Sequence, residues 1–195
     1  MKRIFALLAM LMICTGCAAT GSTGQGTDPQ SLAPSQTPWY HMISRWQGGV
    51  EENTLHSLDL PLIKKFKQQI EQEGWTNQAV VEILTASQKL TRPVMKTGNH
   101  WDTPQEFVAR NFEGNCADIA IFMLATLKSL GYPYQARILA AKTMFVDHAL
   151  LKVEMPDASW QVFETTRAIN PAMRLAYAPI VEFDERQIIF APNRM

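Results

Sequence analysis

The apolar pattern of this chain changes period once, at Gly131-Tyr132-Pro133, and that switch constrains the fold more than any other feature. Before it, apolar residues recur at spacings of three and four: Trp39, Met42, Ile43 and Trp46, then Leu62, Ile63, Phe66 and Ile70, then Val80, Val81, Ile83 and Leu84. Such spacing predicts helices. Their punctuation agrees, with Gly48-Gly49 and Gly74 as stops, Thr76 as a cap, Pro93 as a breaker, and Thr103-Pro104 opening a short fourth helix. A longer helix follows Cys116, with Ile119, Ala120, Met123, Leu127 and Leu130 as its apolar stripe. After the switch, β-type runs at 135–141, 148–155, 160–165, 178–183 and 187–191 are separated by turns such as Pro156-Asp157 and Asp184-Glu185. Helices followed by a mostly antiparallel sheet predict an α+β domain over residues 38–195.

The first residues predict export. Lys2 and Arg3 precede an apolar run from Ile4 to Ile13. That run is too short for a membrane span of ~20 helical residues and has the form of a secretory signal peptide. Thr15-Gly16-Cys17 resembles a bacterial lipobox, with Cys14 standing where Leu is usual. The resemblance implies a lipoprotein signal peptide over 1–16, Cys17 as the lipidation site, and membrane attachment through that lipid. Ala18 resembles the residue that directs lipoproteins to the outer membrane, with the domain facing the periplasm. Cleavage after Ala19, releasing a soluble periplasmic protein, is the alternative. Residues 17–37 then form a flexible tether with Asp28 as the sole charge, spanning ~25 Å as a random coil. Eighteen basic residues balance eighteen acidic ones, so nothing in the charge favours nucleic acid as a partner.

With Cys14 removed and Cys17 carrying lipid, Cys116 is the one remaining thiol, in a compartment that oxidises thiols. It is either a packed small residue or a nucleophile. Its place favours chemistry. In Glu113-Gly114-Asn115-Cys116-Ala117-Asp118 a loop becomes a helix, Asn115 is a candidate cap, and the unpaired N–H groups of a first turn stabilise a thiolate. Four histidines exist as bases. His41 falls within a helix, His56 in a polar stretch and His100 in a loop, whereas His148 opens a strand that would fix its ring. For the acid that orients an imidazole, period-two alternation puts Glu164 on one face with Trp160 and Val162. Asp147 and Asp118 are its rivals.

A cysteine at a helix start, a histidine on a strand and a carboxylate on the next strand resemble the transglutaminase-like superfamily, particularly its bacterial periplasmic cysteine peptidases. The resemblance covers roughly 101–165. It rests on Trp101-Asp102-Thr103-Pro104, Gly114-Asn115-Cys116-Ala117-Asp118, Leu130-Gly131-Tyr132-Pro133, Asp147-His148-Ala149 and Trp160-Gln161-Val162-Phe163-Glu164. It implies a papain-like core in which Cys116 is the nucleophile, His148 the base and then the acid, and Glu164 the orienting acid in place of the usual Asp. The implied reaction is acyl transfer at a peptide amide through a thioester, on a protein or peptide of the cell envelope. Trp101 and Asn115 are candidates for substrate or oxyanion contacts. Some periplasmic relatives bind calcium through acidic residues flanking the cysteine. Here those neighbours are Asn115 and Ala117, so neither calcium nor another cofactor is expected. A domain of this fold that binds envelope partners without catalysis is the competing expectation.

Overall fold

Every residue from Ala117 to Leu127 is buried, which makes α5 (Cys116–Ser129) the centre of the computed structural model. A helix that is apolar on all sides is stable only when other elements surround it. The structure describes residues 38–50, 54–96, 100–143, 147–166 and 177–190, all within a compact unit spanning Leu32–Met195. The expected signal peptide, Cys17 and the whole 17–37 tether lie outside the described residues.

Among the described residues, four further helices surround or flank α5: α1 (Pro38–Gly49), α2 (Pro61–Glu73), α3 (Asn77–Leu90) and α4 (Pro104–Ala109). The expected caps are in place. The Thr76 side chain accepts the Ala79 N–H, and Thr103 forms a reciprocal capping box with Glu106. Gly74 ends α2 at φ 74°, a left-handed angle that suits glycine, and its N–H donates to the Ile70 carbonyl at 2.8 Å. A 3-10 turn at Thr54–His56 also packs against α5.

The second half forms an antiparallel sheet of β3 (Ala136–Lys142), β4 (Asp147–Glu154), β5 (Trp160–Phe163), β6 (Ala178–Phe183) and β7 (Ile188–Phe190), in the order β5-β4-β3-β6-β7. Alternation sorts its residues. Ile138, Ala140, Ala149, Leu151, Val153, Val181 and Phe183 join the core built on α5, while Leu139, Ala141 and Leu150 form a second cluster with Val162 and Tyr177. The α+β architecture follows from these two layers. Of the short β-run expected at 187–191, Ile188–Phe190 is strand, Gln187 precedes it, and residue 191 lies outside the described residues.

One pairing has no counterpart in the periodicity. β1 (Arg92–Pro93) runs parallel to β2 (Glu113–Gly114), and Val94 N–H donates to the Gly114 carbonyl at 2.9 Å. Two-residue strands are too short to leave a pattern. Among the described residues, no helix is long and apolar enough to cross a membrane.

Candidate active site

The chain reaches Cys116 through a tight turn. After α4, Asn111 and Phe112 adopt φ 57° and 62°, an uncommon conformation for an aromatic residue. Phe112 is held there by its ring, 6.0 Å from Phe107 and 5.4 Å from Phe122, and by its carbonyl, which accepts the Arg92 N–H at 2.8 Å. Gly114 then passes close against α5. A Cβ there would lie 2.7 Å from Asp118 Cβ and from Phe107 Cε2, so glycine is required by space.

Asn115 caps α5. Its Oδ1 accepts from Ala117 N–H at 2.9 Å and Asp118 N–H at 3.2 Å, Asp118 Oδ2 accepts the Asn115 N–H at 2.8 Å, and Ile119 N–H donates to the Asn115 carbonyl. The Cys116 N–H has no hydrogen bond among the described residues. Cys116 itself is half-buried. The helix start therefore offers one open donor beside a half-buried cysteine.

The Cys116 side chain lies beside the His148 ring, near enough to act on its protonation. His148 is the second residue of β4, paired with Ala141 of β3, so its backbone is fixed from the sheet interior. Its Nε2 lies 2.7 Å from Glu164 Oε1. Glu164 is the first residue beyond β5. The backbone turns there, so that Thr165 N–H and Thr166 N–H reach Oε1 at 2.9 Å each and Thr166 Oγ1 at 3.2 Å. Thr165 Oγ1 anchors that turn on the Ala149 carbonyl at 2.7 Å, and Gln88 Nε2 holds the Glu164 carbonyl. The longer Glu side chain thus meets the imidazole because the carboxylate folds back over its own turn.

Electrostatics follow from this geometry. The Cys116 sulfur first, and then Glu164, raise His148 from 6.5 to about 9, against the opposing effect of burial. Burial pushes Glu164 upward, but the His148 and Thr166 hydrogen bonds, with the charge on His148 and the Thr165 N–H, outweigh it and hold the carboxyl at about 2. Glu164 is an anion and His148 a cation across the neutral range.

This architecture is also found in solved structures. LapG from Legionella pneumophila after EGTA treatment superimposes with a TM-score of 0.56 at 17% identity, covering 77% of this chain and 84% of that one. Calcium-bound LapG from the same organism gives 0.55 at 16% identity, over 77% of this chain and 87% of that one. The fold is transglutaminase-like. No family profile and no curated protein sequence matches the chain.

Acidic side chains gather near the start of α5. Asp102 and Asp118, 2% and 0% exposed, lie at the start of α5, and Lys96 Nζ sits 2.6 Å from Asp102 Oδ2 and 2.9 Å from Asp118 Oδ2. Asp118 Oδ1 accepts the Asp102 N–H at 2.8 Å. An ammonium and backbone N–H groups already take these oxygens, so the residues at the helix start do not fit a calcium ion, which needs six to eight oxygens. Farther out, ligand atoms of His100, Asp102 and Glu106 lie within 4.8 Å of one another. There, Arg110 faces Asp102 Oδ1 at 3.6 Å and Glu106 Oε2 accepts the Thr103 N–H at 2.7 Å.

The structure brings Cys116, His148 and Glu164 together and disperses the other candidates. Asp147 pairs with Lys142 in the β3–β4 register and is exposed. His41, His56 and His100 are exposed, whereas Asp118 turns into the helix start. The Trp101 ring is core: it stacks on Phe183 at 5.6 Å and 15° and tilts against Trp39 at 5.9 Å. Asn115 spends its Oδ1 on the cap. Trp160, expected to share a face with Glu164, lies at the far end of β5 between Lys152 and Arg137. Sequence reasoning missed Lys96, which belongs to no periodic run. The signal that points to it is indirect: two acidic residues destined for burial, Asp102 and Asp118, need a cation.

Proposed function

We propose that the protein is a cysteine peptidase or amidase that cleaves peptide amides of the cell envelope by acyl transfer. The observation that carries this reading is the continuous line from the Cys116 sulfur through His148 to Glu164, at the start of a buried helix. The Cys116 thiolate attacks the carbonyl carbon, and the oxyanion meets the open Cys116 N–H. The imidazolium of His148 gives its proton to the leaving amine as the C–N bond breaks, leaving an acyl thioester. His148 then takes a proton from water, which attacks the thioester carbonyl and releases the acid and the thiolate. Glu164 holds the ring in one orientation throughout and stabilises its charged form. Glu164 is expected to serve in place of Asp because its own turn compensates for the added methylene. The same reading puts the domain in the periplasm of a double-membrane bacterium, held near the outer membrane by lipid on Cys17 and by the 17–37 tether. That location rests on the amino-terminal residues.

The test is the rate of Cys116 alkylation by iodoacetamide against pH in the full chain, read from the mass of the Cys116 peptide. An activated thiolate reacts well below the value of about 8.5 at which a free thiol ionises, and His148→Ala removes that low-pH reactivity. If parent and variant both react only near that free-thiol value, the peptidase reading fails. A binding domain of the same fold then becomes the conclusion.

A further inference from the structure

We propose that Lys96 is the resident cation of this site, positioning the Cys116 turn as a bound divalent ion would, so that thiol activation needs no calcium. The inference rests on the peptidase reading and adds a residue to it. Lys96 is a positioning residue, acting on the nucleophile through Asp118.

Two independent features carry it. The first is ionic. Lys96 is 12% exposed, and its ammonium joins two carboxylates that are almost wholly buried. Buried carboxylates without a counter-charge are costly, and removing one member of a buried pair costs more than the pair itself contributes. The same Asp118 Oδ2 that meets Lys96 also accepts the Asn115 N–H. The position of the ammonium therefore sets the position of the cap, and the cap carries Cys116. The second is the backbone pairing. Lys96 follows β1, whose pairing with β2 ends in the hydrogen bond from Val94 N–H to the Gly114 carbonyl, two residues ahead of Cys116. The strand end that presents the ammonium is thus tied to the loop that presents the sulfur.

Charge completes the argument. Among the described residues, the charged groups about the helix start include His148, paired with Glu164, and Asp118. Behind Asp118 lie Lys96 and Asp102, with His100, Arg110 and Glu106 at the exposed rim. Without Lys96, Asp118 keeps its backbone N–H partners but loses its counter-charge, and its negative charge at the helix start opposes a thiolate there.

The experiment is Cys116 alkylation against pH in the full-length chain, with melting temperature recorded in parallel. The parent, Lys96→Met and Lys96→Arg are each measured with millimolar calcium and with EGTA. The parent profile and melting temperature are expected to be the same in calcium and chelator. A parent that gains reactivity or stability with calcium overturns the proposal, whether or not any variant folds. Lys96→Met is expected to move the profile to higher pH, slowing alkylation near neutrality by ~tenfold, while Lys96→Arg keeps the low-pH limb. A folded Lys96→Met chain with the parent profile also overturns the proposal, because a residue that merely supports the fold leaves the profile in place. A parent lacking low-pH reactivity that depends on His148 sinks the peptidase reading itself, a result distinct from either of these.

Discussion

The two ends of α5 are built by different physics. From Ile119 to Leu127 the helix is fully buried, and only Thr126 among those residues is polar, its hydroxyl donating to the Phe122 carbonyl at 3.0 Å. Over the first turn nearly every group has a directed partner: Asn115 and Asp118 cap each other, Asp118 meets Lys96, and the Cys116 sulfur meets His148. Burial makes the body stable but is indifferent to small rotations, because apolar contact is non-directional. Hydrogen bonds and ion pairs are directional, and they are concentrated where one sulfur must face one imidazole. Stability and site geometry are therefore separable along a single helix.

That separation has measurable consequences. Phe122→Ala, in the apolar body where the ring meets Phe107 and Phe112, should cost ~3–5 kcal/mol in denaturant unfolding. At temperatures where the variant is folded, its Cys116 alkylation profile should match the parent. A profile that moves with the loss of this ring breaks the comparison.

The His148–Glu164 pair gives an intermediate effect with a defined sign. His148, raised from 6.5 to about 9, contributes stability that is complete below pH 6.5 and lost as pH rises through about 9. Glu164, lowered from 4.5 to about 2, contributes stability that is complete above pH 4.5 and lost as pH falls through about 2. Both contributions are whole between those ordinary values, and each limb is worth up to about 3 kcal/mol. In melting scans against pH, Glu164→Gln should flatten the acid limb. It should reduce the alkaline limb only in part, because the Cys116 sulfur is the larger influence on His148. An acid limb unchanged by the substitution would show that the carboxylate does not hold this pair.

The smallest expected loss of stability sharpens the contrast most. Asn115→Ala removes the cap of α5 and should cost ~1 kcal/mol by denaturation. It should nevertheless slow low-pH alkylation of Cys116 more than Phe122→Ala does, because it disturbs the turn that aims the sulfur. Equal effects of the two substitutions on the thiol would mean that packing, and not the cap network, sets its direction.

Much of this was legible beforehand for a physical reason. The caps at Thr76, Thr103 and Asn115 act on N–H groups two or three residues away, so local sequence contains both partners. The strand runs were legible for the same reason, since a sheet with a buried face imposes alternation on each strand separately. The stripe read on α5 was too narrow. Its other faces are buried as well, because α3, α4 and the sheet all pack on it, which no single segment records. The strand Trp160–Phe163 stops before Glu164 because the chain turns to lay Thr165 and Thr166 on the carboxylate, a competition between strand pairing and local hydrogen bonding. Trp101 stands beside candidate site residues in the sequence, yet its ring is drawn into the core by Phe183, far along the chain.

By itself the sequence determined the order of the elements, their caps, and the placement of Cys116 at a helix start, because each depends on residues within one or two turns of one another. Only the tertiary structure decided the strand order β5-β4-β3-β6-β7, the meeting of Cys116 with His148 and Glu164, and the burial of Lys96 between Asp102 and Asp118. Those meetings depend on which surfaces are left to cover one another once the elements have formed, and desolvation then makes every charge on them find a partner.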